Sequence, residues 1–81
     1  MKRRLMGESR CGDAALRYYL LTEKSAMGAL YGVQAELNGE RTAVPGITLS
    51  RRRVQSLLDG LIRGQVTPVA LRDVVDDWLL V

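Results

Sequence analysis

The sequence contains no histidine and only one cysteine, Cys11. A single thiol excludes a disulfide within the chain, and the lack of histidine excludes Cys/His zinc sites and histidine-based acid–base catalysis. No apolar run approaches the roughly 18 residues that a membrane-spanning helix needs. The basic N-terminus is not followed by the apolar segment of a signal peptide. We therefore expect a cytoplasmic protein that is not an enzyme, does not contact a membrane and has no metal or other cofactor.

Charge is unevenly distributed along the 81 residues, whose net charge is +3. Five arginines and one aspartate give residues 41–66 a net charge of +4, whereas residues 67–81 carry −2. This density is below that of dedicated nucleic-acid-binding domains, so nucleic acid is a less favoured partner. Arginine supplies ten of the twelve basic residues, and its planar guanidinium binds carboxylates and phosphates. Because so short a chain buries a limited share of its surface, we expect a homo-oligomer, a dimer or higher.

The first half of the chain has the patterns of β-strands. Residues 1–13 are polar and contain two glycines, which predicts a flexible N-terminal arm before a single domain over residues 14–81. Strand formers and alternating apolar residues follow, and Asn38-Gly39 predicts a tight hairpin. The predicted strands cover about residues 16–22, 29–37 and 40–48. They form a three-stranded antiparallel meander.

The second half of the chain has the spacing of two amphipathic helices. Apolar residues recur at helical spacing from Val54 to Ile62, with Ser50 placed to cap this helix and Gly64 to end it. Pro68 suits the first turn of the second helix. The predicted helices cover about residues 51–63 and 68–80. The sequence thus predicts an α+β fold in which a helical hairpin packs on one face of the sheet.

Several segments resemble a family of short uncharacterised proteins from clostridia-like bacteria and their phages. The resemblance rests on Tyr18-Tyr19-Leu20-Leu21, Ile47-Thr48-Leu49-Ser50 and Val66-Thr67-Pro68, and it covers about residues 16–80. These are aromatic, apolar and turn positions, so the resemblance implies the fold and no activity. The run Arg51-Arg52-Arg53 and the short Asn38-Gly39 connection depart from the family pattern, so any function of these two places would be specific to this chain.

The most informative stretch is the run Arg51-Arg52-Arg53, which falls in the first turn of a predicted helix. The helix dipole disfavours cations there, so a compensating interaction is expected. One interpretation is anion binding by these guanidinium groups, the Ser50 hydroxyl and free backbone N–H groups. The alternative is ion pairing with Asp76 and Asp77 at the end of the second helix. The sequence leaves both open.

Aromatic residues supply the other candidate contacts. Tyr18 and Tyr19 are adjacent on a strand and must face opposite sides of the sheet. We expect one face to be uncovered and partly apolar, with Tyr19 standing beside Arg17 or Arg41. Tyr31 is a second candidate for contact with a ring. Trp78 continues the apolar stripe of the second helix and is expected in the core.

These residues predict a non-enzymatic binding protein. The preferred hypothesis is sequestration of a phosphate-bearing, nucleotide-derived signalling molecule, by analogy with anti-defence proteins of phages. The competing hypothesis is an inhibitor or adaptor that acts on an acidic protein surface. The candidate ligand-binding residues are Arg17, Tyr19, Tyr31, Arg41, Ser50, Arg51, Arg52 and Arg53.

Overall fold

The computed structural model describes residues 1–80, which form an antiparallel sheet and two helices. The strands lie side by side in chain order. No helix in this part of the chain is long and apolar enough to cross a membrane. The elements are β1 (Lys2–Cys11), β2 (Ala14–Ser25), β3 (Gly28–Leu37), β4 (Glu40–Thr48), α1 (Arg51–Arg63) and α2 (Pro68–Leu79).

The expected α+β architecture is confirmed, but the sheet has four strands and the prediction of three was wrong. The segment expected to be a flexible arm is β1, which pairs with β2 from Lys2 opposite Thr22 to Cys11 opposite Ala14. As an outer strand, β1 is held mainly by backbone hydrogen bonds to β2, and most of its side chains stay exposed. A shift of register between Leu5 and Gly7 also interrupts the regular alternation of the β1 side chains between the two faces of the sheet. Without a regular apolar face, the segment carried no strand signal.

The connection between β3 and β4 follows directly from its sequence. Asn38 and Gly39 both have positive φ, 52° and 83°. Asparagine tolerates this backbone conformation and glycine adopts it without steric cost, so the pair makes a hairpin turn. The hairpin fixes the register of the two strands, with Glu36 opposite Arg41 and Ala35 opposite Thr42.

The core lies between the helices and one face of the sheet. The apolar stripe of α1 packs against β2 and β3 and reaches the two outer strands, whereas that of α2 packs against β3 and β4. The Tyr18 ring is fully buried, and its hydroxyl donates a hydrogen bond of 2.8 Å to the Val66 carbonyl in the connection between the helices. This bond ties the connection between the two helices to the centre of the sheet. The buried core residues are Leu16, Tyr18, Leu20, Val33, Ala35, Val54, Leu57, Leu58, Leu61, Leu71 and Val75.

The opposite face of the sheet is partly closed by a bulge in β4. Tyr31 lies opposite Thr48 and Val33 opposite Val44, so one residue of β3 faces three of β4. The extra residues carry the backbone of Val44 and Pro45 close over Gly32. The face expected to be uncovered is therefore closed near its middle, since Leu21 is 3% exposed and Gln34 is 6% exposed.

Candidate functional site

The candidate ligand-binding residues lie in two separate groups. The first, here called the α1-start cluster, is Ser50, Arg51, Arg52 and Arg53 together with Tyr31 on the adjacent strand. The second, the sheet-face cluster, is Arg17, Tyr19 and Arg41 on the face away from the helices. Tyr31 shares its face of β3 with the core residue Val33, whereas Tyr19 alternates with the core residues of β2. One ligand cannot contact both groups without crossing the sheet.

Backbone and hydroxyl groups at the start of α1 are arranged by two successive hydrogen bonds. The Thr48 hydroxyl oxygen accepts from the backbone N–H of Ser50 at 3.1 Å, and the Ser50 hydroxyl oxygen accepts from that of Arg53 at 3.2 Å. Ser50 is thus the N-cap, as predicted. Within residues 1–80 the backbone N–H groups of Arg51 and Arg52 have no partner. The helix start combines unpaired donors with the positive end of the dipole.

Two of the three arginines of this cluster lie against aromatic rings, and none of the three is paired with a carboxylate in residues 1–80. The Arg53 guanidinium carbon lies 4.8 Å from the centre of the Trp78 ring, and that of Arg51 lies 6.0 Å from the Tyr31 ring. Arg52 is exposed and contacts neither ring. Over residues 1–80 there is one salt bridge, and it joins Arg17 to Glu8. The alternative of ion pairs with Asp76 and Asp77 is therefore not found in the described chain.

Charges in the sheet-face cluster are largely balanced by neighbouring acids. Arg17 donates from Nε to the Glu8 carboxylate at 3.1 Å, and this hydrogen bond and ion pair raise the pKa of Arg17. Glu36 lies between Arg17 and Arg41 in the register of the three strands. The two arginines therefore offer less uncompensated charge than the α1-start cluster does.

Sequence reasoning missed three contributors to these clusters. Arg3 lies over the Tyr19 ring at 4.7 Å, but its segment was predicted to be an arm, so its position was not foreseen. Gln34 faces away from the helices yet is buried, and no group in residues 1–80 bonds its Nε2. Trp78 is partly buried against the core and also supports Arg53. Its position at helical spacing from Leu71 and Val75 predicted only the first of these roles.

Other features of the described chain do not add to either cluster. No three His, Cys, Asp or Glu side chains within residues 1–80 are grouped as a metal site would require. Cys11 is an exposed free thiol at the end of β1. An open depression beside the turn between β2 and β3 is lined by Lys2, Glu23 and Lys24 among others. It contains none of the candidate ligand-binding residues.

Comparison with known proteins places the chain in a family without assigning an activity. A family model described as "Family of unknown function (DUF6514)" matches residues 2–81. Neither a curated protein nor a solved structure gives a significant match. The match includes β1 as well as the segments that carried the resemblance, so the four-stranded sheet and both helices fall within one family unit. The chain belongs to the family of unknown function DUF6514.

Proposed function

We propose that the protein is a non-enzymatic binding protein that captures a phosphate-bearing small molecule at the α1-start cluster. The observation that carries the proposal is that three consecutive arginines occupy the positive end of a helix without a carboxylate partner in residues 1–80. Exposed cations in a first helical turn are unfavourable by roughly 0.3–1 kcal/mol each. A bound anion removes this cost, because it interacts favourably with both the guanidinium groups and the dipole.

The hydrogen-bonding groups at the helix start suit a phosphate. The N–H groups of Arg51 and Arg52 can donate to its oxygens. The Ser50 hydroxyl oxygen already accepts from the helix, so its proton remains free to be donated to an anion. Arg52 adds a guanidinium group that can donate two parallel hydrogen bonds, and this group is not already engaged with an aromatic ring.

Aromatic rings beside the helix start favour a ligand that also carries a ring. Tyr31 and Trp78 are partly buried and each lies against an arginine, which leaves a planar cation above each ring. A nucleobase stacks on aromatic rings and on guanidinium planes. The ligand class that fits is therefore a nucleotide or a nucleotide-derived signal, which the protein would sequester as anti-defence proteins of phages do.

The first experiment is native mass spectrometry of gently purified protein, followed by calorimetric titration with inorganic phosphate, ADP-ribose and cyclic di-AMP. We expect a nucleotide to bind more tightly than phosphate, since only the nucleotide uses the rings. The variant Arg52→Glu should weaken binding by roughly tenfold to a hundredfold, the range for a lost charged hydrogen bond.

The matched control is Arg63→Glu, which makes the same change of charge at the other end of α1. The affinity should stay within about twofold of the parent's, because salt screens the new charge over the length of the helix that separates it from the ligand. Equal losses in the two variants would mean that net charge alone attracts the ligand. Absence of binding by all three probes, with no mass retained from cells, would contradict the proposal.

The competing role, an adaptor on an acidic protein, makes a different prediction. A partner docked on the sheet-face cluster would be lost on substitution Tyr19→Asp and unaffected by Arg52→Glu. The same mass spectra report the oligomeric state, and the partly exposed Tyr19 of the sheet-face cluster offers contact area for the proposed homo-oligomer. A monomer at micromolar concentration would contradict self-association.

A further inference from the structure

The sheet has two outer edges, and only one of them is open to another strand. β4 forms one edge, where Pro45 lacks an N–H donor and the bulge interrupts regular pairing. Proline and bulges are features that protect an edge from further pairing. β1 forms the other edge; it contains no proline, and residues 2–5 pair regularly with β2 ahead of the bulge between Leu5 and Gly7. Its unpaired backbone groups are therefore the ones that can add a strand.

The free part of this edge is the first half of β1. Near its end, Gln65 donates from Nε2 to the Ser9 hydroxyl at 2.9 Å and to the Arg10 carbonyl at 3.2 Å. These contacts occupy the edge beside the connection between the helices. No comparable side-chain contact to the backbone of residues 2–5 is found within residues 1–80.

Charge on this edge is strongly of one sign. Lys2, Arg3 and Arg4 are consecutive and exposed, so their side chains present positive charge on both faces of the strand. The acid of the strand, Glu8, is already paired with Arg17 at 3.1 Å. Next to the three cations, Leu5 is 51% exposed on the same face as Tyr19, its neighbour in β2.

We propose that β1 is a docking edge for an extended acidic segment of a partner protein, which adds to the sheet as a fifth strand. Main-chain hydrogen bonds would supply affinity, as in other cases of strand addition. Acidic residues opposite residues 2–4 would supply specificity, and an apolar residue would cover Leu5. In antiparallel pairing the partner reads apolar-acid-acid-acid, because the two chains run in opposite directions.

Charge complementarity favours this occupant over a second copy of the chain. Two β1 strands brought together would each contribute four cations and the single carboxylate that Arg17 already holds. Like charges placed opposite each other in a sheet are destabilising. The carboxylates of an acidic strand would instead be attracted to the same cations.

The edge is separate from the α1-start cluster, so the two proposals can fail independently. The test is fluorescence anisotropy of a labelled peptide Thr-Val-Thr-Leu-Glu-Glu-Glu-Thr, with hydrogen exchange to locate it. We expect a Kd below about 1 mM and slower amide exchange in β1.

The double variant Lys2→Glu/Arg4→Glu should weaken binding about tenfold or more, since two ion pairs become repulsive. The double variant Arg63→Glu/Arg72→Glu, with the same change of charge at exposed helix positions, should bind as the parent does.

Backbone pairing is tested by N-methylating alternate residues of the peptide. Methylation of one alternate set should abolish binding and methylation of the other should not, because only one set of N–H groups faces β1. Equal losses in the two charge variants, or equal binding by both methylated peptides, would overturn the proposal. Slower amide exchange confined to β4 or the helices would also overturn it, as would absence of binding at about 1 mM peptide. So would a dimer in which two copies pair through β1 and which the peptide does not dissociate.

Discussion

The close crossing of β4 over Gly32 makes the substitution Gly32→Ala the most direct test of this sheet. A methyl group at Gly32 would collide with the Val44 carbonyl oxygen and lie 2.5 Å from the Pro45 α-carbon. Ordinary carbon–carbon contacts are about 3.5–4.0 Å, so β4 must move by about 1 Å. Gly32 does not have positive φ, so alanine is allowed by the backbone and the cost is steric.

The size of this cost follows from what β4 loses when it moves. The displaced atoms belong to the backbone and cannot rotate away as a side chain can. Neighbouring hydrogen bonds between β3 and β4 contribute about 1 kcal/mol each. Val44, which packs against the core, must shift with them. Including the usual cost of overpacking, we expect Gly32→Ala to lower the free energy of unfolding by about 3 kcal/mol.

This loss is large for a chain of 81 residues, whose total stability is expected to be about 4–12 kcal/mol. The melting temperature, followed by circular dichroism, should fall by roughly 12–24 °C. Urea denaturation of the same samples gives the free energy directly.

Gly7→Ala is the matched control, because its new methyl group would also meet a close neighbour. That neighbour is the end of the Ile62 side chain, which can change rotamer. We expect a loss below about 1.5 kcal/mol. Two results would show that the backbone of β4 does not cross Gly32 as described. One is a free energy of unfolding for Gly32→Ala within about 1 kcal/mol of that of the parent, and the other is a larger loss for Gly7→Ala than for Gly32→Ala.

Two further predictions concern single hydrogen bonds. Tyr18→Phe leaves the Val66 carbonyl without its 2.8 Å donor and should lower the free energy of unfolding by about 1–2 kcal/mol in urea at neutral pH. Burial raises the pKa of Tyr18 from 10.0 to about 12, so the folded state retains a proton that the unfolded state loses. The parent should therefore lose stability relative to Tyr18→Phe as pH rises from 10 to about 12, and parallel pH profiles would contradict this. Ser50→Ala removes the acceptor for the Arg53 N–H and should lower stability by about 1 kcal/mol, whereas Ser56→Ala on the exposed face of α1 should not.

Much of the fold could be predicted because local signals and burial agree. The apolar spacing of α1, its Ser50 cap and the Asn38-Gly39 turn each act within a few residues, where sequence determines conformation directly. The alternation of Leu16, Tyr18 and Leu20 likewise matches the face of β2 that is buried. Such features depend on the spacing of apolar residues along one helix or strand and on short-range hydrogen bonds.

β1 could not be predicted because an outer strand needs no apolar face. Its residues gain their conformation from the backbone of β2, which lies up to twenty positions away in the sequence. Missing this strand also concealed Arg3 above Tyr19 and the basic edge at residues 2–4. Those contacts belong to pairing between strands, and no local pattern encodes them.

The candidate site divides in the same way. By itself the sequence determined that three arginines start a helix, that Ser50 caps it, and that Tyr18 and Tyr19 face opposite sides of a strand. Only the tertiary structure decided that Arg53 lies on Trp78 and not on an aspartate, and that Tyr31 and Tyr19 serve different surfaces. The reason is physical: spacing along one element fixes which way a side chain points, whereas its partner depends on which other element packs against that face.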